Sequence, residues 1–429
     1  MSNPWLDDRP PRSRPRVLIV GGCDVQKRID LMRSISDEFS FAALGSEVEL
    51  AMTFAEARFP YFYFLLRRGS SPLSDLRSLT LLRELFRLLR PDIVHTFATK
   101  PSVWGRLAAR SAGVPIVIGT LPGLGSLYTL TDLRARAIRV IYERLQRTAC
   151  RVSDLTIFQN EHDAREFTES GIVPAETATV IPGSGVRTDL FDPARFPRPQ
   201  IERVRAEVGA SDGDVVVTMI ARVIRSKGVL VLAEAAERLR ERHPRARFVL
   251  VGPVDRDSLD RLTDAEFERV VRAVAWLGER DDVGTILASS EIFVLPSFYR
   301  EGVPRVLLEA AAMGRPLVAT RVPGCEDVVV DGTNGFLIPP RDADALARAV
   351  SALIENPELR RRFGAASRAL AVERFDLAAI ARRTAAIYRD LLRRKVGRPA
   401  TAPEASRRGV APEPAVHREG KRSTVTHGG

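Results

Sequence analysis

The stretch PSFYREGVPRVLLEAAAMGRPLVAT, residues 296–320, joins two predicted strands through a loop and a helix. The apolar residues at 291–296 predict the first strand, and those at 317–320 predict the second. Pro304 suits the first turn of a helix, and Gly314 suits its end. A strand, a helix and another strand in this order predict a βαβ unit with two parallel strands in one sheet.

Apolar runs of this kind recur along the chain, with helical stretches between them, in two series. The first series lies at 17–20, 47–52, 93–95, 115–119, 154–158 and 179–181, and the second at 215–220, 248–252, 291–296, 317–320 and 335–338. The alternation predicts an α/β protein with two Rossmann-like, doubly wound parallel sheets. Because open α/β sheets bind ligands beyond the carboxyl ends of their strands, two facing sheets predict a site in the cleft between them.

The domain organisation follows from the two series and from the Pro-rich stretch 191–199, which has no helical or strand period. We expect a flexible N-terminal arm at 1–14, a first domain at 15–195, a second domain at 196–375, a helix at 376–396 that crosses back to the first domain, and a tail at 397–429. The tail is basic and poor in large apolar residues, so we expect it to be disordered.

The charge distribution narrows the classes of partner. The 429 residues include 65 Lys+Arg and 54 Asp+Glu, a net charge of +11. Residues 1–150 carry 22 basic and 14 acidic residues, and residues 393–429 carry 9 basic and 3 acidic residues. The part of the chain between them carries the other 34 basic and 37 acidic residues. Excess positive charge at both ends suits an anionic membrane surface or nucleic acid. No basic stripe with interleaved aromatic residues is evident, so we expect no nucleic acid partner.

Cysteine and histidine usage disfavours a metal or disulfide protein. The three cysteines are far apart, and the five histidines are scattered, so we expect no metal site and no cofactor. The chain has no 18-residue apolar run and no apolar signal-peptide core at its start. We therefore expect a cytoplasmic protein.

Two glutamates flank the start of the predicted helix. Glu301 lies just before it, and Glu309 lies about one and a half turns inside. The helix start offers free N–H groups, so a phosphate can bind at 302–304, while the two carboxylates accept hydrogen bonds from sugar or ribose hydroxyls. The alternative is that Glu301 caps the helix and Glu309 lies on the surface. Because Glu309 follows Val-Leu-Leu and precedes Ala-Ala-Ala, its carboxylate needs a partner.

Two further loops carry candidate phosphate ligands. Arg222 and Lys227 follow the strand at 215–220, and lysine is rare in this chain, with five Lys against 60 Arg. A guanidinium beside an ammonium suits a diphosphate, although a solvated basic turn is the alternative. Gly22 follows the strand at 17–20 and would let the backbone approach a ligand closely, although an ordinary strand-to-helix turn is equally compatible.

The remaining candidates lie in the first domain. His95 closes the strand at 93–95 and Lys100 stands shortly after it, so both could face an acceptor across the cleft. The alternative for His95 is a structural role in the core.

A membrane-docking surface is predicted from aromatic and basic residues. Its members are the run 59–66 and a helical stripe of Leu82, Leu85, Phe86 and Leu89 with Arg83, Arg87 and Arg90 beside it. Apolar and basic surface together suit anionic lipid, whereas core packing with a solvated face is the alternative.

Three segments together resemble glycosyltransferase family 4, the retaining nucleotide-sugar enzymes of GT-B fold. They are IPGSGVRTDLF at 181–191, ARVIRSKG at 221–228 and EGVPRVLLEAAAMGRPLVAT at 301–320, and the resemblance covers roughly residues 15–392. It implies that Glu301 contacts the donor hexose and Glu309 the ribose. It also implies that the donor diphosphate is bound by Arg222 and Lys227, by Gly22, and by the helix start at Gly302, Val303, Pro304 and Arg305.

The sequence at 95–129 is similar to that of a subgroup of the family whose enzymes extend lipid-diphosphate-linked sugars. This resemblance implies transfer of a hexosyl unit from a nucleoside diphosphate sugar, UDP-linked, to a lipid-linked saccharide at the inner membrane face, without a metal. It makes the first domain the acceptor side and the second the donor side. Pro122 stands where many members have a histidine, which leaves the catalytic base open. The alternatives are a non-catalytic sugar-nucleotide-binding protein of the same fold and a basic nucleic-acid-binding protein.

Overall fold

The structure is a computed structural model that describes residues 5, 14–64, 72–98, 100–129 and 133–397. The predicted tail beyond residue 397 lies outside the described residues, as does the predicted N-terminal arm apart from Trp5 and Arg14.

The first domain is built on a seven-stranded parallel sheet with the order β3-β2-β1-β4-β5-β6-β7. Its strands are β1 (Arg16–Val20), β2 (Ser40–Gly45), β3 (Tyr61–Tyr63), β4 (Ile93–Thr96), β5 (Ile116–Leu121), β6 (Leu155–Phe158) and β7 (Ala178–Val180). The strand order reverses between β1 and β4, and a ligand crevice is expected at this switch point.

The second domain repeats this plan with a six-stranded parallel sheet in the order β10-β9-β8-β11-β12-β13. Its strands are β8 (Val215–Ile220), β9 (Ala246–Val251), β10 (Ala275–Trp276), β11 (Ile292–Leu295), β12 (Leu317–Thr320) and β13 (Gly335–Ile338). The order reverses between β8 and β11, the two strands that lead into the predicted donor-binding loops. The predicted fold class, two doubly wound α/β domains, is confirmed.

Helices cover both faces of each sheet, as parallel sheets require. In the first domain they are α1 (Ile29–Ser34), α2 (Leu50–Glu56), α3 (Pro72–Leu89), α4 (Lys100–Ser111), α5 (Ser126–Thr129), α6 (Leu133–Arg151) and α7 (Glu161–Glu169). In the second they are α8 (Arg198–Glu207), α9 (Val229–Leu239), α10 (Asp264–Ala273), α11 (Val283–Ala288), α12 (Arg305–Ala312), α13 (Ala343–Glu355) and α14 (Pro357–Arg374). The last helix, α15 (Leu377–Val396), follows the second domain in sequence.

Helix α15 packs on the first domain. Its residues Ile380 and Tyr388 lie in the same buried cluster as Val17 and Ile19 of β1. Each large apolar side chain buried in this way contributes roughly 1.5–3 kcal/mol relative to exposure. The chain therefore passes between the two domains twice, once through residues 191–199 and once at the start of α15.

The predicted strand at 47–52 is wrong. The strand that pairs with β1 is β2, Ser40–Gly45, and residues Leu50–Glu56 form helix α2. The sequence 47–52 alternates polar and apolar residues, but Val48 and Met52 are 60% and 70% exposed, so this alternation does not mark a buried face. Strand β2 is buried on both faces and therefore shows no alternation at all.

The helical stripe predicted to dock on a membrane is core. Leu82, Phe86 and Leu89 are at most 1% exposed and pack in a buried cluster of the first domain. The aromatic run at 59–66 contributes the edge strand β3 and the buried Phe64, while its last two residues lie outside the described part of the chain. Among the described helices, none is both long and apolar enough to cross a bilayer.

Candidate active site

The helix that follows β11 begins where the sequence predicts it. Pro304 is the residue before α12, and it holds extended backbone with φ −63° and ψ 120°. The loop before it comes into backbone contact with the first domain. A Cβ at Gly302 would clash with the Pro122 carbonyl, and one at Gly123 would clash with the Gly302 nitrogen. Only glycine permits this approach, so the helix start lies directly at the domain boundary.

The second donor-side loop, between β8 and α9, reaches the same place through another close contact. Gly228 has φ +81°, and a Cβ there would clash with the carbonyl of Pro296 at the end of β11. Lys227, one residue earlier, places its Nζ 2.5 Å from Oε1 of Glu301. Its ammonium also lies 5.0 Å from the centre of the Tyr299 ring. The structure therefore brings Lys227 and Glu301 together as an ion pair.

Both partners of this pair are largely shielded from water. The side chains of Lys227 and Glu301 are 11% and 20% exposed, and Ser297 Oγ donates a hydrogen bond to Glu301 Oε1 at 3.3 Å. An ion pair in a shielded site is stronger than one at the surface. The residual exposure leaves the pair open to the cleft, where a sugar hydroxyl or a phosphate can reach it.

Arg222 lies at the start of the same loop but is more exposed. Its Nη1 is 2.6 Å from Oδ2 of Asp255, and its side chain is 46% exposed. Asp255, which sequence reasoning did not single out, follows β9. The pairing holds the guanidinium at the open side of the site.

Glu309 has the partner that its apolar surroundings demand. It is 7% exposed on α12, and Arg305 Nε donates a hydrogen bond to its Oε1 at 2.9 Å. Burial raises the pKa of the Glu309 carboxyl, while Arg305 and Lys27 of the first domain act in the opposite direction. A buried carboxylate with acceptor positions left over suits the hydroxyl groups of a ribose.

The first domain faces this site with its β1–α1 segment. Gly22 follows β1, and a Cβ there would meet only Pro101 Cγ at 3.8 Å and Ser46 Oγ at 4.0 Å, which are ordinary contacts. By contrast, a Cβ at Gly21 would lie 2.9 Å from Val25 Cβ. The protein itself therefore does not require glycine at position 22, and the space in front of it can admit a ligand.

His95 is buried in the first domain and does not face open solvent. It is 2% exposed, with Nδ1 hydrogen-bonded to the Tyr388 hydroxyl at 2.6 Å and Nε2 to Thr120 Oγ1 at 2.7 Å. Burial lowers the pKa of His95 to about 3, with Arg28 acting in the same direction. The ring is neutral at physiological pH, and Thr120 of β5 and Tyr388 of α15 occupy both of its nitrogens. Lys100 is the first residue of α4.

Arg300 links the two domains beside Glu301, and its role is not evident from the sequence. Its Nη2 lies 2.9 Å from Asp163 Oδ1 and 2.7 Å from Glu166 Oε2, both on α7. Its backbone N–H donates to Thr129 Oγ1 at 3.0 Å, and its carbonyl accepts from Gly125 N–H at 2.8 Å.

Gln159 continues this contact on the other side of Glu301, where its Oε1 accepts from Val303 N–H at 3.3 Å. The only sequence signal for Arg300 is its position directly before Glu301. The first domain thus holds the backbone on both sides of Glu301.

The described residues contain one group with metal-ligand spacing, His162, Asp163 and Glu166. His162 Nδ1 lies 3.9 Å from Asp163 Oδ1 and 3.8 Å from Glu166 Oε2. Both carboxylates already bind Arg300, which supplies the positive charge that a metal ion would otherwise bring. The group therefore serves the domain contact.

Two family models match the chain, one in each domain. The model for the glycosyl transferase 4-like domain matches residues 38–183, and the model for glycosyl transferases group 1 matches residues 200–370. Each match covers one of the two parallel sheets almost completely.

Curated relatives match both domains together. The chain is 31% identical over 297 residues to the UDP-Gal:alpha-D-GlcNAc-diphosphoundecaprenol alpha-1,3-galactosyltransferase of Escherichia coli, covering 68% of this chain and 73% of the relative. It is 30% identical over 298 residues to the N,N'-diacetylbacillosaminyl-diphospho-undecaprenol alpha-1,3-N-acetylgalactosaminyltransferase of Campylobacter jejuni, covering 70% and 77%.

Solved structures share the fold. The Anabaena protein HepE in complex with UDP and glucose superposes with a TM-score of 0.72 at 21% identity, covering 87% of this chain and 98% of that one. Sucrose-phosphate synthase from Thermosynechococcus elongatus gives a TM-score of 0.74 at 19% identity, covering 88% and 99%. From these matches and its two doubly wound domains, the chain belongs to glycosyltransferase family 4 and is a glycosyltransferase of GT-B fold.

Proposed function

We propose that the protein transfers a hexosyl unit from a UDP-linked sugar to a saccharide carried on a lipid diphosphate, with retention at the anomeric carbon. The observation that carries this proposal is the convergence of Lys227, Glu301 and the start of α12 at one point of the cleft. The names of the two bacterial relatives, both of which act on diphospho-undecaprenol saccharides, support this class of acceptor.

The second domain, residues 196–375, binds the donor in this proposal. Glu301 accepts a hydrogen bond from a hexose hydroxyl, and Glu309 accepts from the ribose. Lys227, Arg222 and the N–H groups at the start of α12 bind the diphosphate, with the backbone at Gly22 approaching from the first domain. Arg305 donates a hydrogen bond to Glu309 and holds its carboxyl group in place.

The chemical step follows from where charge develops. As the bond from the anomeric carbon to the phosphate oxygen breaks, negative charge accumulates on the departing diphosphate. Lys227, Arg222 and the positive end of α12 are fixed in place before the reaction, so they stabilise this charge without reorganising. The proposal needs no metal, and the phosphate of the donor is the nearest candidate to take the proton of the acceptor hydroxyl.

The first domain, residues 15–195, binds the acceptor and docks on the inner face of the cytoplasmic membrane. Helix α4 contacts both α3 and α6, so all three lie on one face of the first sheet. On α6, Leu133 is 82% exposed and Ile141 is 59% exposed, with exposed Arg136 and Arg144 nearby. Exposed apolar side chains beside arginines suit the interface of an anionic bilayer, where the lipid acceptor resides.

A direct assay tests this proposal. The purified protein is incubated without added metal with UDP-, GDP- and ADP-sugars, and release of nucleoside diphosphate is measured with and without bacterial membrane lipid as acceptor. We expect lipid-dependent release from one UDP-sugar, its loss in Glu301→Gln, and wild-type release in Glu268→Gln, a control on exposed α10. Binding of UDP without release under any acceptor would instead support a non-catalytic binding protein.

A further inference from the structure

Arg28 is a buried cation whose charge no protein group neutralises by direct contact. It is 8% exposed, at the end of the single 3₁₀ turn Val25–Arg28 that follows Gly22. Among the residues that the structure describes, none forms a hydrogen bond or an ion pair with its guanidinium. Its Nε is shielded from solvent and has no partner. Within the described part of the chain, the ring of Phe97 stacks on it, with its centre 4.6 Å from Cζ.

Such an arrangement is expensive unless a ligand completes it. A guanidinium presents five N–H donors, and its transfer from water into a protein interior costs several kcal/mol when no anion compensates it. Buried charges are therefore almost always paired. The ring of Phe97 contributes a cation–π contact but accepts no hydrogen bond.

The position of Arg28 indicates which ligand would complete it. It lines a cavity of about 30 Å³ together with His95, Thr120, Gln159 and Ser184. A cavity of this size has room for at least one water-sized group, such as a phosphate oxygen. Gln159, in the same wall, accepts from the N–H of Val303 at the start of α12. The cavity therefore lies next to the predicted phosphate site.

The charged residues around Arg28 also indicate an anionic ligand. Arg305 of the second domain is close enough to act with burial in lowering the pKa of Arg28, whereas Asp24 raises it. Lys27, its neighbour in the 3₁₀ turn, is close enough to Glu309 to oppose the effect of burial there. Lys27, Arg28 and Arg305 thus bring positive charge to this place from both domains, with Asp24 and Glu309 as the neighbouring carboxylates.

We propose that Arg28 binds a phosphate oxygen of a substrate diphosphate in the cleft, which makes it a phosphate ligand contributed by the first domain. The donor diphosphate is favoured as the source because Arg305 and the α12 start are its neighbours, although the lipid acceptor also carries a diphosphate. This inference rests on the proposed function. It adds that donor binding draws the first domain onto the second through a charge-assisted hydrogen bond.

The test compares Arg28→Met with Arg28→Lys and with the control Arg33→Gln, an exposed arginine of α1 that pairs with Asp30. Binding of UDP, of inorganic pyrophosphate and of uridine is measured by calorimetry. We expect Arg28→Met to weaken UDP and pyrophosphate about 10- to 100-fold and to leave uridine unchanged. The affinity of Arg28→Lys for UDP and pyrophosphate should lie between those of Arg28→Met and the parent. Arg33→Gln should bind both with the affinity of the parent.

A second readout separates ligand binding from a structural role. Because Arg28 is unpaired in the ligand-free chain, Arg28→Met should leave the unfolding temperature unchanged or raise it without ligand, and should reduce the rise that UDP produces. If the variant instead unfolds at lower temperature and binds UDP and pyrophosphate like the parent, Arg28 is a packing residue and the inference is wrong.

These measurements also distinguish the donor diphosphate from the acceptor diphosphate, and the failure of the proposed function from the failure of the Arg28 inference. Loss of UDP and pyrophosphate affinity assigns Arg28 to the donor. Parental UDP affinity with a raised KM for the lipid acceptor assigns it to the diphosphate of the acceptor. If the parent protein binds no UDP, GDP or ADP, the proposed function fails. If the parent binds UDP, and Arg28→Met binds UDP with the same affinity and has the same KM for the acceptor, only the role of Arg28 is contradicted.

Discussion

Lys227 and Glu301, which lie on different loops of the second domain, form an ion pair of 2.5 Å at the edge of the first domain. The cation expected to bind a diphosphate is therefore neutralised by the carboxylate expected to bind a sugar. A donor that bound here would place its phosphate and its hexose on either side of this pair. The pair keeps both side chains in place before the donor arrives.

Replacing Lys227 by alanine should slow the chemical step. The variant loses a cation that we propose to bind the departing diphosphate, so we expect kcat to fall by about 100- to 1,000-fold at saturating donor. The measurement is release of nucleoside diphosphate, with Lys395→Ala as a control because that lysine pairs with Asp154 away from the cleft. Wild-type turnover of Lys227→Ala would contradict the diphosphate assignment.

Adding a methyl group at position 22 should affect donor binding and not folding. A Cβ at Gly22 meets no close neighbour, whereas one at Gly21 lies 2.9 Å from Val25 Cβ. We expect Gly22→Ala to unfold at the parental temperature and to raise the KM for the donor at least several-fold. Gly21→Ala should be less stable than the parent. Unchanged donor kinetics in Gly22→Ala would mean that no ligand approaches this backbone.

The stability of the ligand-free protein should depend on pH through Glu309. Burial raises the pKa of its carboxyl above the ordinary value of 4.5. The unfolded chain therefore releases this proton at lower pH than the folded chain does. Its contribution to stability is fully present below pH 4.5 and is lost as the pH rises through the folded-state pKa.

Glu309→Gln cannot ionise at this position, so it does not lose stability as the pH rises. The unfolding temperature of the variant minus that of the parent should therefore be larger at pH 7 than at pH 4. Thermal unfolding followed by circular dichroism over this pH range gives the difference directly. A difference that stays constant, or that shrinks toward pH 7, would contradict the assignment.

Breaking the contact of Arg300 should cost both stability and donor binding. Arg300→Ala leaves the Asp163 carboxylate, 2% exposed, without its cation, and we expect a loss of about 2–3 kcal/mol in the free energy of unfolding. The KM for the donor should rise because the loop that carries Glu301 loses its support. Chemical denaturation and donor kinetics check the two effects, with Arg361→Ala as an exposed control. A stable variant with parental KM would show that the contact is dispensable.

Membrane docking should depend on α6. Ile141→Glu places a negative charge on an exposed apolar position, so co-sedimentation with vesicles containing phosphatidylglycerol should fall several-fold. Val372→Glu, at an exposed apolar position of α14 in the second domain, is the matched control. Charge reversal at Arg83, Arg87 and Arg90 of α3 tests the surface predicted from sequence. Equal sedimentation of all variants and the parent would exclude docking through this face.

The sequence was sufficient for the fold class and for most strands because buried parallel strands are continuous apolar runs. It failed at β2, where Ser40–Gly45 is such a run but the next six residues alternate more regularly. The βαβ unit around α12 was predicted closely because Pro304 and Gly314 mark its helix at both ends. Local signals of this kind need no information about distant residues.

The contacts between domains could not be predicted in the same way. Arg28 and Arg300 are two of 60 arginines, and nothing local distinguishes them from solvated ones. Their burial depends on which residues the fold brings against them, 134 to 137 positions away in the case of Arg300. His95 shows the converse, since its place at a strand end suggested a group that faces the acceptor, but Tyr388 and Thr120 occupy both of its ring nitrogens.

The glycine contact between Gly123 and Gly302 has a consequence for protein engineering. Enzymes of this architecture invite the construction of hybrids, in which one half is exchanged to combine a new acceptor with an existing donor. In this chain the two halves meet backbone against backbone, so a replacement half with any side chain at position 123 would displace the loop that carries Glu301. Whether two exchanged halves fit together therefore depends on this contact between Gly123 and Gly302. A well-chosen linker alone would not make incompatible halves fit.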